Sequence, residues 1–386
     1  MVIDRRVALI VGAGIVAGAN VGKLPVALPR LAEAFEMSLL QAGLAISMLQ
    51  ATSMSVGILG GMLADRFGQR RVMVTGLVLL ACGGLLGAMA DRAGLLLASR
   101  ALESVGFMAT VLPGPALLSR LVDASRMRAV MGLWAAYMPT GMTLALLATP
   151  WVIAVVGWQG LWVGVSLVAL ALSVLIVRTV PPDVAGSSSP GWASLVGRTA
   201  KTRGPWLLAL SFGTYAGQWM GVFGFLPTVY DSAGIAPGLA GLLTALGVAV
   251  NVIGNTGAGF AMHRGVAART LLVVTSSTMF VCGWVVFGAD APFAIRYGAV
   301  LLFSACGGMV PGTLFSLTIR FAPDRQSVST TTGLMQQGSA IGQFLAPPAI
   351  AAVVSTAGDW SHAWVVTGAL AGVNLLAAVA IGRLMR

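Results

Sequence analysis

Gly61-Met-Leu-Ala-Asp65-Arg66-Phe-Gly68-Gln-Arg70-Arg71 is a charged knot between two long apolar runs. Each flanking run, near 39–59 and near 72–90, is about as long as the ~20 residues that cross a hydrocarbon core. Working outward, about twelve such runs can be counted. Six precede residue 180, near 7–28, 39–59, 72–90, 94–117, 129–150 and 160–178. Six follow, near 206–229, 238–262, 270–288, 294–318, 327–354 and 361–383. Between the sets, Pro181 to Gly204 is polar, with Pro-Pro and Gly-Ser-Ser-Ser-Pro, and reads as a linker. The first run follows Arg5-Arg6 and continues to about Leu28, so it reads as an uncleaved span, not a signal peptide.

Composition agrees. Hydrophobic residues make up 57% of the chain and charged residues 9%, and mean hydropathy is +0.90. So few charges cannot keep a chain of this size in water. The net charge of +11 would suit nucleic acid, but its placement points to lipid. With an even number of spans both termini share one side. Of the 23 basic residues, only Arg30 and Arg92 fall opposite, and Lys23, Arg100 and Arg296 lie within or at the edge of spans. The rest lie with the termini and the linker, which the positive-inside rule places in the cytoplasm. The expected fold is an all-α membrane protein with 12 transmembrane helices. Cys82, Cys282 and Cys306 lie in apolar runs without CxxC spacing and read as buried apolar residues. With two His, no phosphate loop and no nucleophile–base set, no metal, cofactor or enzyme activity is expected, nor direct use of ATP.

The chain repeats itself at one spacing. Gly14-x3-Gly18-x3-Gly22 recurs as Gly213-x3-Gly217-x3-Gly221. Asp65-Arg66-x-Gly68 recurs, degraded, as His263-Arg264-Gly265. Pro113-Gly114 recurs as Pro311-Gly312, and Trp158-x3-Trp162 as Trp360-x3-Trp364. Six spans per repeat give both repeats the same orientation, a parallel arrangement with a site near the midplane between them. The expected units are a bundle over 1–180, a cytoplasmic linker over 181–204 and a second bundle over 205–386.

The opening knot resembles the loop between the second and third helices of the major facilitator superfamily, Gly-x-Leu-Ala-Asp-Arg-x-Gly-Arg-Arg/Lys. Gly61, Leu63, Ala64, Asp65, Arg66, Gly68 and Arg70 match, and Gln69 replaces the first basic residue. Arg100 with Gly106 resembles the fourth-helix pattern, although the Gly expected four residues after the Arg is Ser104. The resemblance covers the whole chain and implies alternating access driven by a gradient, a multi-pass protein of the inner membrane, and a monomer. Gly22-Lys-Leu-Pro25, Gly132 to Pro139, Tyr215 to Trp219 and Gly333 to Gln336 look like the cyanate and nitroimidazole transporter-like branch.

Ionisable groups inside spans are costly and mark function. Arg100 and Glu103, three apart, share a helix face and can pair. They are either a self-neutralised structural pair or a coupling device, with Glu103 the proton carrier. Lys23, one turn after Asn20, either snorkels outward as an anchor or offers a fixed charge to an anion. Tyr137, Gln218, Trp219, Asn251 and Gln336 are polar groups in apolar runs and candidates to line the substrate path. Gly61, Asp65, Arg66, Gly68 and Arg70 read as a cytoplasmic latch, with Asp65 meeting a helix N-terminus or an Arg, or else as a topology signal. The expected function is transport of a small anionic solute across the inner membrane, with or without proton coupling. The alternative is a proton-driven multidrug or metabolite efflux antiporter. The missing Gly-Pro pair in the fifth run counts against that alternative, and the two-fold repeat counts against a channel.

Overall fold

A computed structural model describes residues 4–183, 192–324 and 327–385, without side chains at 59–66, 124–125, 128–129, 132, 135 and 192–193. The described residues form helices and no strand. Among the described residues, ten helices are long and apolar enough to cross a membrane. They are α1 (Arg5–Ala34), α2 (Leu39–Ile58), α3 (Gln69–Ala88), α4 (Ala93–Leu121), α5 (Tyr137–Thr179), α7 (Pro237–His263), α8 (Ala268–Phe287), α9 (Phe293–Phe321), α10 (Val328–Ala357) and α11 (Trp360–Leu384). One further long helix, α6 (Arg203–Ser232), stands apart.

Two elements account for the difference from twelve runs. α5 has 43 residues, which at 1.5 Å each is about 65 Å, twice a hydrocarbon core. Its backbone breaks at Gly157, where φ is 73° and ψ 172°, a conformation that favours a residue without Cβ. Two sequence runs are therefore joined in one long helix. α6 carries Thr214, Tyr215, Gln218 and several Gly, which lower its hydropathy below that of the ten. Every residue from Ser211 to Pro227 is buried, so this helix runs through the protein interior on all faces and can carry polar groups that lipid would not accept.

The sequence repeat is one packing made twice. In the first repeat, the α1 glycine stripe lies on the start of α5. A Cβ on Gly18 would sit 2.9 Å from the Met138 carbonyl oxygen, and one on Gly22 2.6 Å from that of Met142. In the second, the α6 stripe lies on α10. A Cβ on Gly213 would sit 2.6 Å from the Gly338 carbonyl oxygen, and one on Gly217 2.9 Å from that of Gly342. In lipid, small residues let backbones approach so that van der Waals packing replaces the hydrophobic effect.

The outer surface is apolar. Val155 is 83% exposed, Trp151 and Ile319 73%, and Leu376 71%, which suits contact with acyl chains and not water. Cys82 belongs to this exposed set, correcting the expectation that all three cysteines are buried. Cys282 is buried as expected.

Candidate functional site

Lys23, Arg100 and Glu103 are the only buried charged side chains among the described residues. Asn20 and Lys23 share one face of α1, and Arg100 and Glu103 one face of α4, each by i,i+3 spacing. Glycines of α3 leave room for the carboxylate, since a Cβ on Gly83 would sit 2.8 Å from Glu103 Cγ. Lys23 Nζ donates to Glu103 Oε1 at 2.6 Å and to Asn20 Oδ1 at 2.8 Å. Arg100 Nη1 donates to Glu103 Oε2 at 2.5 Å and to the Asn20 carbonyl at 3.1 Å. Arg100 Nε donates to the Ala45 carbonyl at 3.3 Å. Lys23 Nζ also lies 4.6 Å from the Trp162 ring centre, a cation–π contact.

Lys23 is thus neither an outward anchor nor a free cavity charge. Its 0% exposure places it in a triad with both α4 residues. Burying charge is costly unless every charge is paired and hydrogen-bonded. Here both carboxylate oxygens are taken, while Arg100 Nη2 has no partner. Two cations share one anion, so the ionised triad carries net charge +1. Ser104, where the resemblance expects Gly, has work beside the triad. Its Oγ accepts from Thr52 N at 2.8 Å, next to the 3-10 turn Met48–Gln50 that interrupts α2.

The second repeat answers with a neutral cluster. Asn251 Nδ2 donates to the Tyr215 hydroxyl and to the Ser304 carbonyl, both at 3.0 Å. Asn255 Nδ2 donates to Asn251 Oδ1 at 3.0 Å. Gln218 is buried and donates to the Thr214 carbonyl at 3.1 Å, leaving Oε1 without a partner. Trp219 packs at a tilt against Phe223, ring centres 4.9 Å apart, with Nε1 also unpartnered. Tyr137 packs against Trp134 at 4.9 Å, beneath the Gly14 contact of α1. Gln336 is exposed and joins neither cluster. Tyr215 was missed in the sequence, although it lies one helical turn before Gln218 and Trp219 and so shares their stretch of α6.

At the latch loop, the side chains of Gly61, Asp65 and Arg66 lie outside the described residues. What is described centres on a residue not singled out in the sequence, Asp183. Its carboxylate accepts from Arg70 N at 3.0 Å and Arg71 N at 3.1 Å, so it caps the N-terminus of α3, where the helix dipole favours an anion. Arg120 approaches the same carboxylate at 3.2 Å, and the Arg70 side chain donates to the Val177 carbonyl. Gly68 makes this possible, because its φ is 93° and a Cβ there would run into the Asp183 carboxylate. Gly68→Ala is expected to destabilise the purified protein by about 1–3 kcal/mol, from overpacking and the left-handed backbone. Asp183→Asn keeps only one acceptor of the cap, because an amide nitrogen cannot accept the second backbone N–H, and it also removes the ion pair with Arg120, so its loss should be about 1 kcal/mol. Thermal unfolding in detergent measures both, and no loss in Gly68→Ala would show that the Gly68 contact does not matter.

A profile of the Major Facilitator Superfamily matches residues 10–347. The chain belongs to the Major Facilitator Superfamily. Among solved structures of the superfamily fold, a bacterial homologue of the human lysosomal transporter Spinster, in an inward-facing and occupied conformation, aligns with a TM-score of 0.75 at 14% identity, covering 97% of this chain and 92% of that one. A D-xylose-proton symporter aligns with a TM-score of 0.75 at 16% identity, covering 97% and 96%. At such identities the likeness is one of fold. In sequence, the multidrug resistance protein MdtH of Yersinia enterocolitica is 39% identical over 79 residues, 20% of this chain and 20% of that protein. The chain thus matches about a fifth of the length of these curated relatives. As a superfamily member the chain is a multi-pass membrane protein, and its buried triad is set in the fold of a transporter.

Proposed function

We propose that this superfamily member is a secondary active transporter that moves a small anionic solute across the inner membrane by alternating access, coupled to protons through Glu103. The observation that carries the reading is the triad, where two buried cations share one carboxylate and Arg100 Nη2 has no partner. Protonating Glu103 would release Lys23 and Arg100 to hold an anion, and ionising it would take them back. The neutral Tyr215–Asn251 cluster, with Gln218, Trp219, Tyr137 and Gln336, would face the uncharged part of the solute.

The architecture proposed with it has twelve crossings in two six-helix halves, 1–180 and 205–386, joined by a linker over 181–204. α5 crosses twice about Gly157, and α6 crosses once. Both termini lie in the cytoplasm with most of the arginines. The transporter works as a monomer, and the cyanate-like branch is the one its motifs suit. The latch residues Gly61, Asp65, Arg66, Gly68 and Arg70 gate the cytoplasmic side.

Proteoliposome uptake tests the reading, using a panel of small anions and of lipophilic cations with and without a pH gradient. Anion uptake should respond to the gradient and fall at least about tenfold in Lys23→Gln, the loss of one charge-assisted hydrogen bond at ~1.4 kcal/mol per decade. Lys23→Gln leaves Arg100 and Glu103 balanced, so folding should survive. The MdtH match favours a second reading, a multidrug or metabolite efflux antiporter. Cation movement that depends on Glu103 and ignores Lys23 would establish that reading and sink the first.

A further inference from the structure

Helix α2 breaks at Val56, where φ is −133° and ψ 17°. In an unbroken helix the Ile58 N–H would bond the Met54 carbonyl, four residues back. That rung is occupied by a side chain from α10. Gln337 Oε1 accepts from Ile58 N at 3.1 Å, and Gln337 Nε2 donates to the Met54 carbonyl at 2.8 Å. One carboxamide therefore satisfies both backbone groups that the break sets free. A primary amide suits the task, because it carries an acceptor and a donor side by side. Gly57 admits it, since a Cβ there would sit 3.3 Å from Gln337 Cβ. Insertion of a side chain into the ladder is a recognised cause of a sharp helix kink. The neighbouring bond from Gln50 Nε2 to Gln343 Oε1, at 3.1 Å, crosses the same seam without touching any rung.

We propose that Gln337 is the residue that switches α2 between a kinked and a straight form as the two halves rock. With this seam together, the amide replaces the Met54–Ile58 rung. When the seam parts, the rung closes on itself and α2 straightens through Val56. Neither state then orphans a backbone group, which inside a membrane would cost several kcal/mol per group. The seam can open because only a side-chain amide is released, and it is released into the opening cavity. The proposal rests on the alternating-access reading above.

Double electron–electron resonance tests it in lipid nanodiscs, in a background with Cys82→Ser, Cys282→Ser and Cys306→Ser. Spin labels go on Phe67→Cys, at the C-terminal end of the helix Ala51–Phe67 that continues α2, and on Ser329→Cys, in the first turn of α10, both exposed. The parent should show a short and a long distance. Gln337→Leu should move the ratio toward the long distance by about tenfold, the worth of one or two net hydrogen bonds. Ile58→Pro cannot re-form the rung and enforces the kink, so it should move the ratio the opposite way by about tenfold or more. A purely structural seam contact would be loosened by both changes. Shifts in the same direction, or a Gln337→Leu shift no larger than that of Gln343→Leu, would overturn the proposal. If Gln337→Leu does not fold, Gln337→Asn, too short to span the rung, takes its place with the same expectation. A single distance in the parent would overturn alternating access and the switch together, whereas two distances untouched by Gln337→Leu would overturn the switch alone.

Discussion

Replacing Glu103 by Gln is expected to cost about 3–5 kcal/mol of stability, the usual consequence of removing one partner from a buried ion pair. The two cations it separates, Lys23 and Arg100, would then face each other with 0% exposure and no countercharge. The ionised site would go from net +1 to net +2. Lys23→Gln should be far milder, because it leaves Arg100 and Glu103 as a neutral pair. Lys23→Gln combined with Glu103→Gln should fall between, with one unpaired cation. Thermal unfolding of the three variants in one detergent gives the order. If Glu103→Gln melts no earlier than Lys23→Gln, the triad is not held together by charge.

The second large effect is steric. Gly342→Leu is expected to abolish the folded protein. A Cβ on Gly342 would collide with the Gly213 carbonyl, and Gly213 itself rests on the Gly338 carbonyl. Here α6 and α10 touch backbone to backbone, so no flexible side chain can yield. Forcing even small groups into a packed core costs about 1–3 kcal/mol, and a whole isobutyl group at this crossing must part the helices. Gly298→Leu is the control, because nothing lies within 4 Å of a Cβ there. Size-exclusion chromatography after detergent extraction should give a monodisperse peak for Gly298→Leu and aggregate for Gly342→Leu. A sharp peak from both would mean that α6 and α10 are not so closely apposed.

Much of this was legible in the residues. The glycine stripes at 14, 18 and 22 and at 213, 217 and 221 marked a repeat in the sequence, and each stripe lies in a close backbone contact with another helix. The pairing of Arg100 with Glu103 followed from i,i+3 geometry alone. What stayed hidden was long-range. Lys23 lies 80 residues from Glu103, and periodicity within one helix cannot say which neighbour its face will meet. Asp183 was hidden for another reason. It sits at the edge of a polar linker, where a carboxylate looks merely solvated, and only the approach of α3 makes it a cap. Gln337 was one polar residue among several in α10, and its use depends on a break in α2 that no local signal near Val56 marks.

The uneven placement of charge has an electrical consequence. Lys23, Arg100 and Glu103 all belong to the first repeat, while the cluster around Tyr215 and Asn251 in the second is neutral. A membrane potential is worth about 2.3 kcal/mol per elementary charge per 100 mV, and it does work only on charge that moves through the field. Voltage would therefore pull on one half of this molecule and leave the other almost unfelt. With Glu103 ionised the site carries one net positive charge, and with Glu103 protonated it carries two. Under the proposed coupling through Glu103, taking up a proton would double the grip of the field on this site, so the chemical and the electrical parts of a proton gradient would act through the same three side chains.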